Sequence, residues 1–343
     1  MGRWIVILFS GVAIAVGSVT PAANAQPVNQ VTPGAVSDDG VLSVGGLHTC
    51  GIKSDGTLAC WGDNSHGQLS GIPSGTFTQI SAGNDHTCGV KSDGTIVCWG
   101  SNLFGQLTAT AIPRGPFTQV SNGTTEACAL KKDGTLACWE FEQAPPNGAP
   151  WTPYPNRSLR ITGQGLLTNI PSGTFTQVSV GSTHACALKR EGALICWGRY
   201  IGAFTPIPSG TFTQISAGGS HTCGVKSDGT LACWGNNSAG QLTNIPNGTF
   251  TQISAGTLQT CGVRSDGTLA CWGDNRQGQL TNIPSGTFTQ VSARFSHICG
   301  LKSDGSVVCW GDNSQGQLTN IPNATFGHQT VSTRTLSHLW SEE

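Results

Sequence analysis

The sequence has few charged residues, and this scarcity narrows the classes of function. Only 10% of its 343 residues are charged, and the formal net charge is −1. Nucleic-acid binding requires a basic surface that neutralises phosphates, so the composition excludes a nucleic-acid partner. No segment after the first 25 residues is apolar enough to span a bilayer, so no membrane span is expected in the mature chain.

Several chemical signatures are also missing from the sequence. No 3.6-residue apolar periodicity occurs, which excludes helical and leucine-rich solenoids. The cysteines show no C-x2-C spacing of the kind that zinc sites use, and there are no paired carboxylates, serine–histidine–aspartate set or phosphate loop. The sequence therefore predicts no metal, no cofactor and no catalytic residues, and we do not expect an enzyme.

The first 25 residues have the pattern of a secretory signal peptide. Arg3 precedes an apolar run from Ile5 to Val19, and the segment ends in PAANA, which contains an A-x-A cleavage signal. A membrane anchor is the alternative, but the run is short for a bilayer span. We expect cleavage after Ala25, a linker over residues 26–39 and a secreted protein, either extracellular or periplasmic.

One phrase recurs seven times along the chain, first as HTCGIKSDGTLACWGDNSHGQL from His48. Successive copies lie about 38 residues apart, except where an insertion over residues 140–160 lengthens the third. All fourteen cysteines fall into C-x9-C pairs, and an even, regular count in an exported chain predicts disulfides. The pairs are Cys50 and Cys60, Cys88 and Cys98, Cys128 and Cys138, Cys186 and Cys196, Cys223 and Cys233, Cys261 and Cys271, and Cys299 and Cys309.

The glycine turn between the two cysteines sets the hairpin register. If residues 54–56 form a three-residue loop with Gly56 in the left-handed bulge position, Lys53 pairs with Thr57. Counting outward along both strands then places Cys50 opposite Cys60. Each disulfide should therefore link the two middle strands of one repeat.

The remainder of each repeat completes a small antiparallel sheet. TFTQISAG alternates apolar and polar residues as a strand does, and GQL is predicted to begin a fourth short strand before the NIPSG turn. Four short strands per repeat of this length are typical of a propeller blade. The predicted fold class is therefore all-β: a seven-bladed β-propeller of four-stranded blades over residues 40–332, with a tail over 333–343. We expect the two chain ends to meet in a shared blade.

The recurring phrase SAG-x-x-H-x-C-x-x-K-x-DG-x-x-x-C-WG-x-N-x-x-GQL resembles the repeat of the regulator of chromosome condensation family. The resemblance implies a seven-bladed propeller. In that family the founding nuclear member is a nucleotide exchange factor for a small GTPase, and secreted relatives include a propeller that inhibits β-lactamases. The paired-cysteine variant looks like extracellular repeats of some plant receptor kinases. Because this sequence has a signal peptide and no basic tail, exchange activity is not expected.

Positions shared by the copies are predicted to serve the blade. A tryptophan follows the second cysteine in every copy and should pack in the core or between blades: Trp61, Trp99, Trp139, Trp197, Trp234, Trp272 and Trp310. A histidine precedes the first cysteine in five copies, and Glu126 and Gln259 stand in the other two: His48, His86, His184, His221 and His297. One imidazole per blade places the rings too far apart to share a zinc ion, so we expect each to make a hydrogen bond that closes the turn after SAG.

Positions that break the repeat are the candidates for function. In up-and-down blades the loops after the first and third strands open on one face, and the irregular residues fall in those loops. The insertion contains five prolines, which lower the cost of ordering a binding loop, although a loop folded onto its own blade is the alternative. The candidate binding residues are Leu103, Phe104, Phe141, Trp151, Tyr154, Tyr200, Arg294 and Phe295.

Together these features predict a secreted binding module that engages a protein partner, such as a target enzyme, through one face of the propeller. Interfaces concentrate aromatic and arginine side chains. A carbohydrate is the alternative partner, because Trp151, Tyr154 and Tyr200 could stack on sugar rings. A hydrolase at the channel mouth is the third hypothesis, and substitution of Glu126 would distinguish it from a binding module.

Overall fold

The computed structural model describes residues 40–102, 107, 112–124, 126–140, 169–198 and 206–327. The regular elements of these residues are strands. These residues belong to the unit Ala35–Glu343. No helix long and apolar enough to cross a membrane occurs within them. The predicted signal peptide, linker, tail and all but the first residue of the 140–160 insertion lie outside the described residues.

Within the described residues, twenty-one strands form seven antiparallel sheets of three consecutive strands each. The first strands are β1 Leu42–Val44, β4 Phe77–Ala82, β7 Phe117–Asn122, β10 Phe175–Val180, β13 Phe212–Ala217, β16 Phe250–Ala255 and β19 Phe288–Ala293. The second strands are β2 His48–Ile52, β5 His86–Lys91, β8 Glu126–Lys131, β11 His184–Lys189, β14 His221–Lys226, β17 Gln259–Arg264 and β20 His297–Lys302. The third strands are β3 Leu58–Gly62, β6 Ile96–Gly100, β9 Leu136–Glu140, β12 Leu194–Gly198, β15 Leu231–Gly235, β18 Leu269–Gly273 and β21 Val307–Gly311.

The predicted hairpin register is confirmed. Gly56 has a φ of 83°, the left-handed conformation that glycine adopts without steric cost, and the Lys53 amide donates to the Thr57 carbonyl at 2.8 Å. Cys50 pairs with Cys60 across β2 and β3. All seven predicted disulfides are present, each joining the second and third strands of one sheet.

The predicted fourth strand is not found among the described residues, because the GQL segments of the first, fifth, sixth and seventh repeats form turns. In the first repeat Asn64 Oδ1 accepts the Leu69 amide at 2.8 Å, and Asp63 Oδ1 accepts the Ser65 amide at 3.0 Å. Gly67 has a φ of 80°. Short polar side chains that capture nearby backbone N–H groups favour turns over strands, so the described blades have three strands.

The apolar cores lie between sheets. Cys128 and Leu130 of the third sheet pack with Phe175, Val178 and Trp197 of the fourth, and similar clusters join the other neighbours. The seven tryptophans that follow the second cysteine of each repeat are all buried, which confirms their predicted packing role. Because each core needs residues from two repeats, one sheet alone cannot bury its apolar surface.

Glutamine and serine side chains connect neighbouring first strands. Gln79 accepts the Val120 amide and donates to the Val120 carbonyl, both at 2.8 Å, while Ser81 accepts the Asn122 amide at 2.9 Å. These side chains replace the backbone partners that a continuous sheet would supply. The same glutamine position serves five further junctions: Gln119, Gln177, Gln214, Gln252 and Gln290.

The first and seventh sheets are joined in the same way, so the seven sheets form a ring. Gln290 donates to the Leu42 carbonyl at 2.7 Å, and Ser292 accepts the Val44 amide at 3.0 Å. Near the C-terminus Phe326 bridges Lys53 and packs on Trp61, with ring centroids 5.9 Å apart. Both ends of the described chain thus meet at the first sheet, where the C-terminal side contributes one isolated bridge and not a strand.

Candidate functional site

The histidines that precede the first cysteines connect neighbouring sheets. His48 is buried, and its Nε2 lies 2.8 Å from Thr87 Oγ1 in the next sheet. The turn between the first and second strands is closed by backbone atoms. In the second sheet, for example, the Gly83 amide donates to the His86 carbonyl at 2.8 Å. The predicted turn-closing hydrogen bond therefore belongs to the main chain, and the imidazole bonds across the junction. The corresponding pairs are His184 with Thr222, His221 with Thr260, and His297 with Thr49.

Exceptions to this pairing occur where the following sheet lacks the threonine. Alanine or isoleucine stands there at three junctions: Ala127, Ala185 and Ile298. The Asn122 side chain lies beside His86 and raises its pKa slightly against the effect of burial, while Glu126 and Gln259 replace histidine altogether. The residue two positions before the first cysteine thus varies with the hydroxyl available across the junction, and Glu126, which is buried, belongs to this structural set.

Burial keeps these imidazoles neutral. It lowers the pKa of His48, His86 and His184 to about 3, and that of His221 and His297 to about 4. For His48, charge on His86, His297 and Arg294 lowers the pKa further. At neutral pH the rings act as uncharged hydrogen-bonding groups. Within the described ranges, no group of three or more histidine, cysteine, aspartate or glutamate side chains could hold a metal ion.

Backbones of neighbouring sheets approach closely at the turn between the first and second strands. Six sheets have glycine at the first turn position: Gly45, Gly83, Gly123, Gly181, Gly218 and Gly256. A side chain at Gly181 would collide with the carbonyl oxygen of Gly218 in the next sheet. Glycine is required here because no space exists for a Cβ atom. The seventh sheet departs from this pattern, with Arg294 at the same place.

The Arg294 side chain extends from the seventh sheet to the second and third. Its Nη1 donates to the carbonyls of Ala82 at 3.1 Å and Asn122 at 3.0 Å, and its Nη2 donates to that of Gly123 at 2.9 Å. Along the ring the first sheet lies between the seventh and the second, and the first and second sheets lie between the seventh and the third, so the side chain crosses the centre of the ring. Arg294 consequently ties together sheets that are not neighbours.

Gln259 of the sixth sheet supports the loop that carries Arg294. Its Nε2 donates to the carbonyls of Arg294 at 2.7 Å and Phe295 at 3.1 Å. The Thr257 amide also donates to the Arg294 carbonyl at 3.1 Å. The irregular residue of the sixth sheet therefore positions the irregular loop of the seventh, a role that sequence reasoning did not assign to Gln259.

Phe295 projects from this supported loop. It is 53% exposed and is the one exposed large hydrophobic side chain among the described residues. Arg294 beside it is engaged by backbone carbonyls, so its guanidinium is held within the ring's mouth. The other predicted binding residues lie outside the described residues: Leu103, Phe104, Phe141, Trp151, Tyr154 and Tyr200.

The repeated sheets and their junctions correspond to a known family. A model of the regulator of chromosome condensation (RCC1) repeat matches residues 42–68, 77–106, 175–199, 212–241, 250–279 and 288–317, about half of the chain. The chain belongs to the RCC1 repeat family. The third repeat, around Cys128, falls outside these matches but forms the same three-stranded sheet as the others.

Several solved structures share this fold. The ectodomain of the receptor kinase ACR4 from Arabidopsis thaliana is 25% identical, covering 80% of this chain and 95% of that one, with a TM-score of 0.61. The receptor kinase CR4 ectodomain from Physcomitrella patens is 24% identical over 79% and 72% of the two chains, with a TM-score of 0.62. Prp20p from Saccharomyces cerevisiae is 16% identical over 84% and 86%, with a TM-score of 0.58. No curated protein sequence matches significantly.

The disulfides, the repeat family and the ectodomain relative bear on where the protein is located and on its general type of function. A receptor ectodomain relative and seven disulfides both suggest an extracellular protein. The RCC1 repeats and the ectodomain relative are typical of protein-interaction modules.

Proposed function

We propose that the protein is a secreted, seven-bladed β-propeller that binds a protein partner through the face formed by the turns between first and second strands. The observation that carries this proposal is the exposed ring of Phe295 on a loop held by Gln259 and Arg294. Catalysis is not part of the proposed function.

The exposure of Phe295 is not required by the fold. The equivalent turn position in the other six sheets has a small or polar residue: Gly46, Asn84, Thr124, Ser182, Gly219 and Thr257. An aromatic side chain on a polar surface gains most by being buried against a partner. The hydrogen bonds from Gln259 and Arg294 hold the loop before binding, which lowers the cost of ordering it.

Relatives support a protein partner as the chemical class. The ACR4 structure is an ectodomain of a receptor kinase, Prp20p has been studied for its binding to Gsp1p and histones, and yeast RCC1 has been solved bound to Kap60. For this chain we propose that the irregular aromatic residues of the second, third and fourth repeats extend the Phe295 surface on the same face. A carbohydrate ligand at Trp151, Tyr154 and Tyr200 is the competing proposal.

Site-specific photo-crosslinking tests the proposed face. A photo-reactive residue at position 295 should capture a discrete protein from the native extracellular fraction, whereas one at position 227, in a hairpin at the opposite strand ends, should not. In a pull-down without the photo-reactive residue, Phe295→Thr, which introduces the residue of the sixth sheet, should capture the partner at least tenfold less than the unmodified chain. Thr257→Ser should capture it as well as the unmodified chain does. Equal capture from positions 295 and 227 would refute the assignment of the face. Capture that persists in Phe295→Thr and is lost on adding sugar would favour a lectin.

Export is tested separately. N-terminal sequencing of the protein from the culture medium or periplasm should begin at Gln26. A protein that retains Arg3, or that stays in the cytosol with reduced cysteines, would contradict the proposed secretion.

A further inference from the structure

The hairpin loops at the other end of the strands carry a local excess of positive charge. Five of the seven loops have serine before the acidic residue: Ser54, Ser92, Ser227, Ser265 and Ser303. The third repeat has Lys132 at this position, and the fourth has Arg190. These two neighbouring repeats are the ones in which the serine is replaced by a cation.

Both cations line one surface depression between the third and fourth sheets. Its lining includes three cations, Lys131, Lys132 and Arg190, one carboxylate, Asp133, and the threonines Thr118 and Thr174. Lys132 and Arg190 are exposed to solvent. The depression thus brings three positive side chains together within a chain whose formal net charge is −1.

The equivalent junction between the fifth and sixth sheets provides an internal comparison. It has Lys226 and Asp228 with two serines, Ser227 and Ser265, so its formal charges cancel. In the third and fourth sheets one carboxylate faces three cations, which leaves a net formal charge of +2 on the lining side chains. Asp133 is itself engaged by the Thr135 amide at 2.9 Å and the Thr135 hydroxyl at 2.7 Å.

The Lys132 side chain is not needed to hold the hairpin of the third sheet. In the second sheet Ser92 Oγ lies 2.7 Å from Thr76 Oγ1, and the Ser92 amide donates to the Thr76 carbonyl at 3.0 Å. In the third sheet Pro116 replaces the threonine, and the Lys132 amide still donates to the Pro116 carbonyl at 2.9 Å. The backbone bond is kept while the hydroxyl pair is lost, so the lysine side chain is free for another role.

We propose that this depression binds phosphate or sulfate groups, either as free ions or carried on an anionic polymer. A planar guanidinium matches the oxygen atoms of such groups, and ammonium groups add charge from the sides. Clustered cations raise the local concentration of an anion and release its counterions on binding. The site lies on the hairpin face and is separate from the Phe295 surface, so it adds an activity to the proposed function.

Reversion to the residues of the other repeats tests the site. The oxidised mature chain should bind fluorescent heparin and inorganic polyphosphate in 20 mM salt, and millimolar inorganic phosphate should compete. The double variant Lys132→Ser/Arg190→Ser should weaken binding at least tenfold and reduce the slope of log affinity against log salt by about two. Competition by phosphate alone, with no gain from the polymers, would identify the free ion as the ligand and still support the site.

Two further variants separate this site from general charge effects. Lys226→Ser/Lys302→Ser removes the same charge from the same face and should change the affinity less than threefold. Ser227→Lys/Ser265→Arg transplants the cations to the junction of the fifth and sixth sheets and should raise the stoichiometry from one to two. Circular dichroism establishes that each variant is folded. Equal losses of affinity in the two charge-removal variants, or no binding by the unaltered chain, would then overturn the proposal.

Discussion

The buried histidines make the stability of the ring dependent on pH between neutral and mildly acidic conditions. In the folded protein their pKa values lie at about 3 to 4, whereas in the unfolded chain they return to the ordinary value near 6.5. Below pH 6.5 the unfolded chain therefore binds protons that the folded ring does not. The free energy of unfolding must fall as the pH is lowered through this range.

The size of the effect follows from the number of histidines. At pH 5.5, one unit below the unfolded pKa, each histidine removes about 1.4 kcal/mol from the free energy of unfolding. Five such residues give a loss of about 7 kcal/mol relative to pH 8. The aspartates whose pKa is lowered by hydrogen bonds, such as Asp63 and Asp312, lose their stabilising effect below about pH 4, outside this window.

Guanidinium unfolding at several pH values between 8 and 5.5, with the disulfides intact, measures this loss. His221→Gln should reduce the pH-dependent part by about 1.4 kcal/mol at pH 5.5, because glutamine does not titrate and the sixth sheet already accepts it at Gln259. His66→Gln, at an exposed position, serves as the control and should leave the profile unchanged. A free energy of unfolding that changes by less than about 2 kcal/mol over this range would refute the assignment of neutral, buried imidazoles.

Three further predictions concern the bonds within and between sheets. Cys223→Ala/Cys233→Ala opens one short disulfide loop and should lower the free energy of unfolding by about 2–3 kcal/mol in denaturant titrations. Gln177→Ala leaves a backbone N–H and a carbonyl of the next sheet unpaired and should cost about 2–4 kcal/mol, whereas Thr176→Ala beside it should cost less than about 1 kcal/mol. Phe326→Ala should lower the free energy of unfolding by about 3–5 kcal/mol and accelerate amide exchange in the first sheet but not in the fifth. Uniform acceleration in every sheet would contradict a role confined to the first sheet.

Within one repeat, the sequence predicted the structure well. The glycine turn and the C-x9-C spacing are local signals, so the register that pairs Cys50 with Cys60 could be counted from Gly56 alone. The GQL segment was interpreted wrongly as the beginning of a fourth strand. The Asn64 and Asp63 side chains, which capture nearby amides, decide in favour of turns.

Contacts between repeats were harder to predict, because they depend on how the sheets are placed in the ring. The glutamine of TFTQIS was taken as part of an alternating strand, yet Gln79 bonds the backbone of a strand about 40 residues away. The histidine bond was assigned to the wrong partner for the same reason. A signal was present in the sequence, since histidine in one copy tends to accompany threonine in the next, and Gln259 occurs where that threonine is Ile298. Arg294 was selected as an irregular residue, but its reach to Gly123 could not be deduced without the ring.

The first sheet is where the beginning and the end of the described chain meet, and this meeting point determines the order in which parts of the protein fold. Its first strand, Leu42–Val44, comes from the beginning of the described chain, and Phe326 comes from the end, so the sheet cannot be completed until almost all of the chain is available. Each disulfide, in contrast, joins cysteines only ten positions apart and can form as soon as its own hairpin exists. An open arc of sheets with its disulfides formed should therefore precede the closed ring. At the end of that arc the edge of β19, including Gln290, is exposed until β1 covers it, and another chain could pair with this edge first.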